Sequence, residues 1–489
     1  MAHGNFAPGM HRTRSTIAGF CALAWLAGCA SYQPAPLSAA QNAQAIEART
    51  LTDSRLEAFI AAAGDAEHPA PAGSTPQIAW DVTSLTLAAL YYHPDLDIAR
   101  ARSAAARSDV VTAQQIPNPS LSFEDLSYAP RGAGPAQWTI APVINFLIET
   151  AGKRSLRTSE ARALAAAARA DLSGASWQVR GGVRDALLAL WAAQSRLSLL
   201  RQRLTLSDQL ATLLEHRFAA GEASSLDVAR ERTHRNEASL AARDAEREAG
   251  LARAQLAAAI GIPLRALDGI EISFGMFDQP LSLGDESASG ELRRVALTQR
   301  SDVQGLLAQY AAAESALALE TAYQYPNLTL SPGYSFDSTQ NRYLLLPAVE
   351  LPLFNHNQGR IAESLARREE AAARFTALQT RIIDAIDGAT LAYRVSASSM
   401  QTADALLAGE KDREQRTLRS FQAGAIDRPT LLAVQLERLA AEQARLEALL
   451  QAQRAVGTLE DALQHSFFGP ALTPSLEQNP RLAGSPAPR

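Results

Sequence analysis

One stretch limits what this chain can fold into more than any other. From Ala186 the positions Leu190, Ala193, Leu197, Leu200, Leu204, Ser207, Ala211 and Leu214 follow at alternating spacings of four and three. All but Ser207 are apolar, which makes a coiled-coil seam. The helix that carries it is read over 152–216, about 65 residues and about 97 Å long at 1.5 Å per residue. No compact domain contains such a helix. Length alone would suggest about three ordinary domains of about 150 residues. Composition points the same way as the seam. Of 489 residues 98 are alanine, against 14 Phe, 10 Tyr and 5 Trp, which favours long, closely packed helices over aromatic-rich globular cores.

The chain also repeats itself. Phe218-Ala219-Ala220-Gly221 returns as Phe421-Gln422-Ala423-Gly424. Ile116-Pro117-Asn118 returns as Tyr325-Pro326-Asn327, and Gly152-Lys153-Arg154 is answered by Gly359-Arg360. Three marks in one order at nearly one offset predict two copies of a half-structure, a unit too long for a solenoid repeat.

Each half reads as a helix (84–115, then 290–322), two strands (120–148, then 327–353), a very long helix (152–216, then 359–420) and a medium helix (222–260, then 427–466). The medium helix of the first half has an alanine seam of its own, Ala238, Ala242, Ala245, Ala249, Ala252, Leu256 and Ala259. Helix lengths predict two shorter helices stacked end to end along each long one. The domain reading is a signal peptide over 1–28, an N-terminal extension over 29–83 and a first repeat over 84–261. A Gly- and Pro-bearing connector in the equatorial region over 262–289, a second repeat over 290–466 and a flexible tail over 467–489 follow.

The strands argue against a plain coiled-coil rod. Leu328, Leu330, Pro332, Tyr334 and Phe336 alternate with Thr329, Ser331, Gly333 and Ser335, and Trp138, Ile140, Ile144, Phe146 and Ile148 share one face. That pattern fits barrel strands facing lipid on one side and an aqueous lumen on the other. A soluble sheet with one buried face would read the same strand by strand, but the chain offers no globular core to cover it. Four strands cannot close a transmembrane barrel, for which about eight is the practical minimum. Open edges in lipid leave costly unpaired backbone groups. Spanning strands therefore require several chains in one barrel, and the residues leave two, three or four open.

The N-terminus has the layout of a secretory signal: Arg12 and Arg14, a short apolar core from Ser15 to Trp25, then Leu26-Ala27-Gly28-Cys29. The last four residues resemble the bacterial lipobox, which implies cleavage before Cys29 and acylation of that cysteine. Ala30 follows, not the Asp that retains many such lipoproteins at the inner membrane.

Several classes are excluded or disfavoured. A net charge of −5 from 46 basic and 51 acidic residues excludes a generally basic nucleic-acid binder. Two cysteines, Cys21 and Cys29, give neither a disulfide framework nor a four-cysteine zinc site. No run of 18 or more apolar residues follows residue 30, so no helix of the mature chain is read as crossing a bilayer. Leu147 stands where a phosphate loop ending at Gly152-Lys153-Arg154-Ser155 would need Gly. There is no Gly-x-Ser-x-Gly, no His-Glu-x-x-His and no paired catalytic carboxylate set. We expect no catalytic residues, no cofactor and no bound metal, and so no enzyme.

Taken together the residues resemble the TolC-type outer-membrane efflux proteins over nearly the whole mature chain. The marks are the lipobox, the duplication, His93-Pro94-Asp95-Leu96, Pro117-Asn118-Pro119, and Arg217-Phe218-Ala219-Ala220-Gly221-Glu222 followed by Leu226-Asp227-Val228. Glu149-Thr150-Ala151-Gly152-Lys153-Arg154 and Leu351-Pro352-Leu353-Phe354-Asn355-His356-Asn357-Gln358-Gly359-Arg360 look most like the heavy-metal branch, the CzcC- and CusC-like ducts. The resemblance implies a mainly α fold with a small β part: duplicated long helical hairpins forming a trimeric α-barrel tunnel, with four strands per chain in a shared 12-strand outer-membrane β-barrel. It implies a passive outer-membrane lipoprotein duct of a tripartite efflux system, heavy-metal cations as cargo, and as partners a periplasmic adaptor and an inner-membrane pump of RND type. Multidrug efflux and type I protein secretion are alternatives within the fold; a non-conducting lipoprotein tether is the alternative outside it.

By the same resemblance the helical turns at Gly221 and Gly424 are periplasmic tips, with Arg217, Phe218, Gly221, Glu222, Phe421 and Gly424 as adaptor contacts. Asp227, read as about two turns into its helix, would form a gate ring of three carboxylates. A solvated helix face is the competing reading for it. Asp427 reads as an N-cap ahead of Pro429. Thr430 and Ala433 stand where gate acids often lie, so a second acidic ring is not expected. Lys153, Arg154 and Arg360 fall where strands pass into long helices, and two readings stand side by side for them: reaching toward lipid headgroups at the inner rim, or a charged helix start with no lipid role.

Overall fold

In a computed structural model the described residues are 32, 34–64, 80–129, 137–279, 290–336 and 340–467. The signal segment, Cys29 and the tail beyond Phe467 lie outside them. Residues up to Ala48 form a separate unit whose described helix is α1, Ala39–Glu47. The unit from Arg49 onward holds the rest: α2 (Ser54–Gly64), α3 (Val82–Tyr92), α4 (Pro94–Gln114), β1 (Ser120–Ala129), β2 (Gln137–Ile148), α5 (Lys153–Ala219), α6 (Ser225–Ile260), α7 (Gly290–Gln299), α8 (Ser301–Ala322), β3 (Leu328–Phe336), β4 (Asn341–Val349), α9 (Gln358–Gln422) and α10 (Arg428–Leu463). None of these helices is long and apolar enough to cross a membrane.

The two long helices have 67 and 65 residues. The expected seam is buried where it matters: Leu200 packs with Ala242 and Ala245 of α6, and Leu190, Ser207 and Ala211 are buried as well. Small residues at these positions let the two backbones approach closely.

One expectation needs correction. The first helix of each half is two helices, not one. The peptide before Pro94 disfavours the α region for His93, which takes ψ 127° and serves as both the C-cap of α3 and the N-cap of α4. In the second half Arg300 makes the same break, at ψ 145°.

Each break is a joint where the C-terminus of the medium helix arrives. Arg49 Nη1 donates to Tyr92 O at 3.1 Å and to Gly261 O at 2.6 Å, so one guanidinium ties the end of α6 to the end of α3. In the second half Arg300 Nη1 donates to Asp461 O and Ala462 O, at 3.0 and 2.5 Å, at the end of α10. A cation at carbonyls left over by a helix C-terminus is favourable there. The end-to-end stacking expected from helix lengths thus has a residue at each joint.

The main core lies around the first joint, and a smaller one with Ala296, Val303, Ile382 and Leu459 lies at the second. Leu85, Leu90 and Tyr91 of α3 pack with Leu187 and Trp191 of α5, Leu256 and Ile260 of α6, Leu449 of α10 and Phe277 of the connector. Beside it a buried ionic cluster clamps the two halves together. Glu460 of α10, 1% exposed, meets Arg180 and Arg184 of α5, each at 3.2 Å. Arg184, 2% exposed, also donates to Gln453 O at 2.7 Å. Burial pulls the Arg184 guanidinium below its ordinary range, and Glu460 opposes that shift.

The four strands form one antiparallel sheet in the order β1-β2-β3-β4. Ile148 pairs with Leu328, Phe146 with Leu330 and Ile140 with Phe336. Since side chains alternate across a strand, this register places the two expected apolar sets on one face. Leu121, Leu126, Ile144, Phe146, Tyr343 and Leu345 are exposed there. On the opposite face Asn145 donates to Ser122 Oγ at 3.0 Å and accepts from Ser331 Oγ at 2.7 Å. At the turn ends of the two hairpins the rings of Tyr128 and Trp138 lie 4.9 Å apart, and those of Tyr334 and Tyr343 5.8 Å. Aromatics at that height are what a membrane interface selects.

Candidate functional site at the hairpin tips

The α5–α6 turn is built by a glycine that closes a helix. Gly221 has φ 78°, its N–H donates to Phe218 O at 2.9 Å, and Glu222 N–H donates to Arg217 O at 2.8 Å. This is a Schellman motif, which satisfies the last carbonyls of α5. The α9–α10 turn repeats it. Gly424 has φ 73°, Gly424 N–H donates to Phe421 O at 3.0 Å, and Ala425 N–H donates to Ser420 O at 2.9 Å. Phe218 and Leu226 are exposed at the first tip, as is Glu222; Phe421 is half-buried at the second.

The helices that leave the turns start with reciprocal caps. At α6, Ser224 is the N-cap: its Oγ accepts from Asp227 N–H at 3.1 Å and donates to the Asp227 carboxylate at 2.7 Å. At α10 the residue types are exchanged. Asp427 is the N-cap, accepting from Thr430 N–H at 3.2 Å and from Thr430 Oγ1 at 2.6 Å. Each tip therefore carries one acid in the capping pair, on opposite sides of the first turn. The N-cap reading of Asp427 stands. Asp227 is in the first turn of α6, not two turns into it, because the Ser224 cap delays the helix start to Ser225. Its side chain is exposed.

The two tips are tied to each other. Arg217 Nη1 donates to Asp427 Oδ2 at 2.9 Å. The Thr430 hydroxyl and, next, the Arg217 guanidinium hold the Asp427 carboxyl below the usual carboxylate range. Each hairpin has its own cross-braces too. Arg232 reaches Glu215 at 2.7 Å in the first, and Arg438 reaches Glu414 at 2.8 Å in the second.

At the opposite end of α5 the structure overturns one of the two readings. Lys153 does not reach toward lipid. It is buried, and its Nζ donates to Tyr325 O at 2.5 Å and Asn327 Oδ1 at 2.7 Å, across the seam between the repeats. An ammonium surrounded by such acceptors gains more there than at an exposed rim. Arg154 and Arg360 are exposed. Glu149, next to this site, pairs with Arg157 at 2.7 Å.

Among the described residues no group of three or more His, Cys, Asp or Glu side chains could hold a metal ion. Nothing at the tips brings a nucleophile, a base and an oxyanion donor together.

Comparison with known proteins agrees with this geometry. The family model described as outer membrane efflux protein matches residues 86–262. The cobalt-zinc-cadmium resistance protein CzcC of Cupriavidus metallidurans is 26% identical over 359 residues, 72% of this chain and 82% of that protein. The pyoverdine export outer membrane protein OpmQ of Pseudomonas aeruginosa is 30% identical over 298 residues, 56% of this chain and 59% of its own length. Among solved structures CusC, described in terms of folding and transmembrane channel formation, superimposes with a TM-score of 0.64 at 18% identity, covering 82% of this chain and 98% of that one. Proteins of this family are channels, not enzymes. With its long hairpins and four-stranded sheet the chain shares the fold of CusC, and over residues 86–262 it is similar to the outer membrane efflux proteins.

Proposed function

We propose that this outer-membrane efflux channel works as a homotrimeric duct. Twelve strands would close one barrel, and that barrel would continue into a periplasmic helical tunnel. The observation that carries the reading is the sheet. Its apolar face is exposed, its other face carries Asn145 and serines, and β1 and β4 are edges that pair with nothing among the described residues. Open edges are not tolerated in lipid. Four strands per chain make three copies a barrel of sufficient size.

The tips built on Gly221 and Gly424 are the surface for a periplasmic adaptor, with Arg217, Phe218, Glu222 and Phe421 beside them. An RND-type inner-membrane pump would drive transport from behind. Asp227 would line the closed end as a ring of three carboxylates. Cys29, in a lipobox, would anchor each chain to the outer membrane. Acyl chains contribute about 0.8 kcal/mol per buried CH₂, so more than one is needed for firm anchoring.

Heavy-metal cations are the favoured cargo. The support is the match to a cobalt-zinc-cadmium resistance protein over 82% of that protein's length. A second reading, export of an organic siderophore-like molecule, is favoured by the match to a pyoverdine export protein. The separating experiment challenges a deletion strain with cobalt, zinc, cadmium, copper, silver and a drug panel while siderophore export is assayed. Sensitivity confined to metals supports the first reading. Unchanged metal tolerance with lost siderophore export supports the second. Duct activity itself requires a large, stable conductance from purified protein in planar bilayers; its absence would leave a tether.

A further inference from the structure

Helices and strands leave the same two edges open. Within the chain α4 packs on α5, α5 on α8 and α8 on α9, while α4 and α9 share no packed interface among the described residues. The sheet has the matching order, β1 to β4. One open edge is therefore β1 with α4, and the other is β4 with α9.

The connections beside these edges differ. Between β2 and α5 lie four residues, Glu149 to Gly152. Within this short connection Thr150 is half-buried, its Oγ1 donating to Pro326 O at 2.5 Å. Between β4 and α9 lie eight, Glu350 to Asn357. This longer connection presents Leu351, Leu353 and Phe354 at 68, 69 and 99% exposure. It is nevertheless built. Leu353 N–H donates to Leu351 O at 2.8 Å. Asn357, with φ 63°, donates from Nδ2 to Glu320 O at 2.8 Å and to the Glu320 carboxylate at 2.7 Å. Asn357 N–H donates to Asn355 Oδ1 at 2.8 Å. A backbone fixed in advance loses less conformational freedom on binding.

On the other edge a groove of about 750 Å³ runs between the segment that leads into β1 and the start of α5. Ile116, Pro117, Leu147, Ile148 and Arg154 line it, and Ile116 is exposed. Strand directions bring the two features to the same level. β1 runs away from the helices and β4 runs back toward them, as their antiparallel neighbours require. A β4 edge paired antiparallel with the β1 edge of another copy sets Leu351–Phe354 beside that copy's residues 115–119.

We propose that the β4–α9 connection is the docking element for a second copy of this chain, with the Phe354 ring seated in the groove beside Ile116 and Pro117. This rests on the homotrimer reading and assigns its contact. Occupation by the second copy is favoured over lipid because the connection continues from an unpaired strand edge, which only another strand can satisfy. Its apolar residues also face the Ile116, Pro117, Leu147 and Ile148 side of a groove whose remaining lining, Gln114, Glu149 and Arg154 among it, is polar.

The test introduces p-benzoylphenylalanine in place of Phe354 in the full-length protein, irradiates outer-membrane vesicles and maps the adducts. Native mass spectrometry of the unmodified protein runs in parallel. The expected result is a covalent dimer of chains with adducts within residues 112–118 or 147–162. Phe354→Ser should raise the monomer fraction about tenfold, in line with the loss of one buried aromatic ring, while Phe354→Leu stays close to the parent. Adducts confined to lipid or to the same chain, in protein that is still trimeric, overturn the docking assignment and leave the trimer standing. A wild-type monomer overturns the trimer reading and the docking assignment together. A trimer yield unchanged by Phe354→Ser also overturns the assignment.

Discussion

Arg217 and Asp427 meet at 2.9 Å although 210 positions separate them in the chain. One ends the first long helix and the other caps the last helix, so the contact ties one hairpin tip to the other. Exposed ion pairs contribute at most about 1 kcal/mol. The pair is therefore too weak to hold the fold and suited to holding one arrangement of the tips.

Asp427→Asn and Arg217→Ala should leave trimer yield and thermal stability within about 1 kcal/mol of the parent. Both should raise single-channel conductance by letting the tips separate. Unchanged conductance in both variants would show that this tie does not restrain the tips. Asp227→Ala should mainly alter cation selectivity and loosen the closed state, read as a shift in reversal potential under a salt gradient.

The same pair sets a pH dependence. The Asp427 carboxyl lies below its ordinary range in the folded chain, chiefly through Thr430 and then Arg217. Its stabilising contribution is therefore complete above the ordinary carboxylate range and is lost as pH falls through the lowered value. Conductance of the parent should rise as acid reaches that window, and Asp427→Asn should abolish the rise.

Gly221→Asp and Gly424→Asp should assemble as trimers but abolish efflux. An added Cβ meets nothing within 4 Å at either site, so the cost comes from φ 78° and φ 73°. That is about 1 kcal/mol or more, too little to unfold the chain but enough to distort the tip. Full resistance from both assembled variants would remove the tips as the docking surface.

Gly457→Ala should be far more damaging than its size suggests. A Cβ there would clash with Arg184 Nη1 and lie 2.9 Å from its Cζ. The guanidinium cannot step aside without leaving Glu460 and the Gln453 carbonyl. Breaking a buried pair of this kind costs about 3–5 kcal/mol. Thermal melts should show a large drop for Gly457→Ala and for Glu460→Gln, with little change for the exposed Gly388→Ala.

Lys153→Met removes the donor that joins Tyr325 O and Asn327 Oδ1. Leaving such acceptors without a partner costs about 1–3 kcal/mol. The expected readout is a lower temperature of trimer dissociation on gels with helix content unchanged by circular dichroism. An unaltered dissociation temperature would show that this junction does not limit assembly.

Periodicity and punctuation, which are local, were legible in the residues. The seam from Ala186 to Leu214, the strand Leu328–Phe336, the two Phe-x-Ala-Gly turns and the Asp427 cap all follow from spacing or from one residue's backbone preference. They determined the duplicated hairpins, the long helices and a sheet with one apolar face. Contacts between distant positions were decided only by tertiary structure: Arg49 on the end of α6, Arg300 on the end of α10, Glu460 between Arg180 and Arg184, and Arg217 on Asp427. Lys153 illustrates the difference. A basic residue at a helix start beside a membrane strand reads as a rim charge, yet the seam between the repeats offers it two acceptors that lie more than 170 positions away. Asp227 lies about one turn nearer the helix start than the periodicity places it, because Ser224, three residues before it, caps the helix. That cap is local, like the one at Asp427, but hydrophobic periodicity does not record it; the tertiary structure alone decided the contacts between distant positions, because their partners are brought together only by folding.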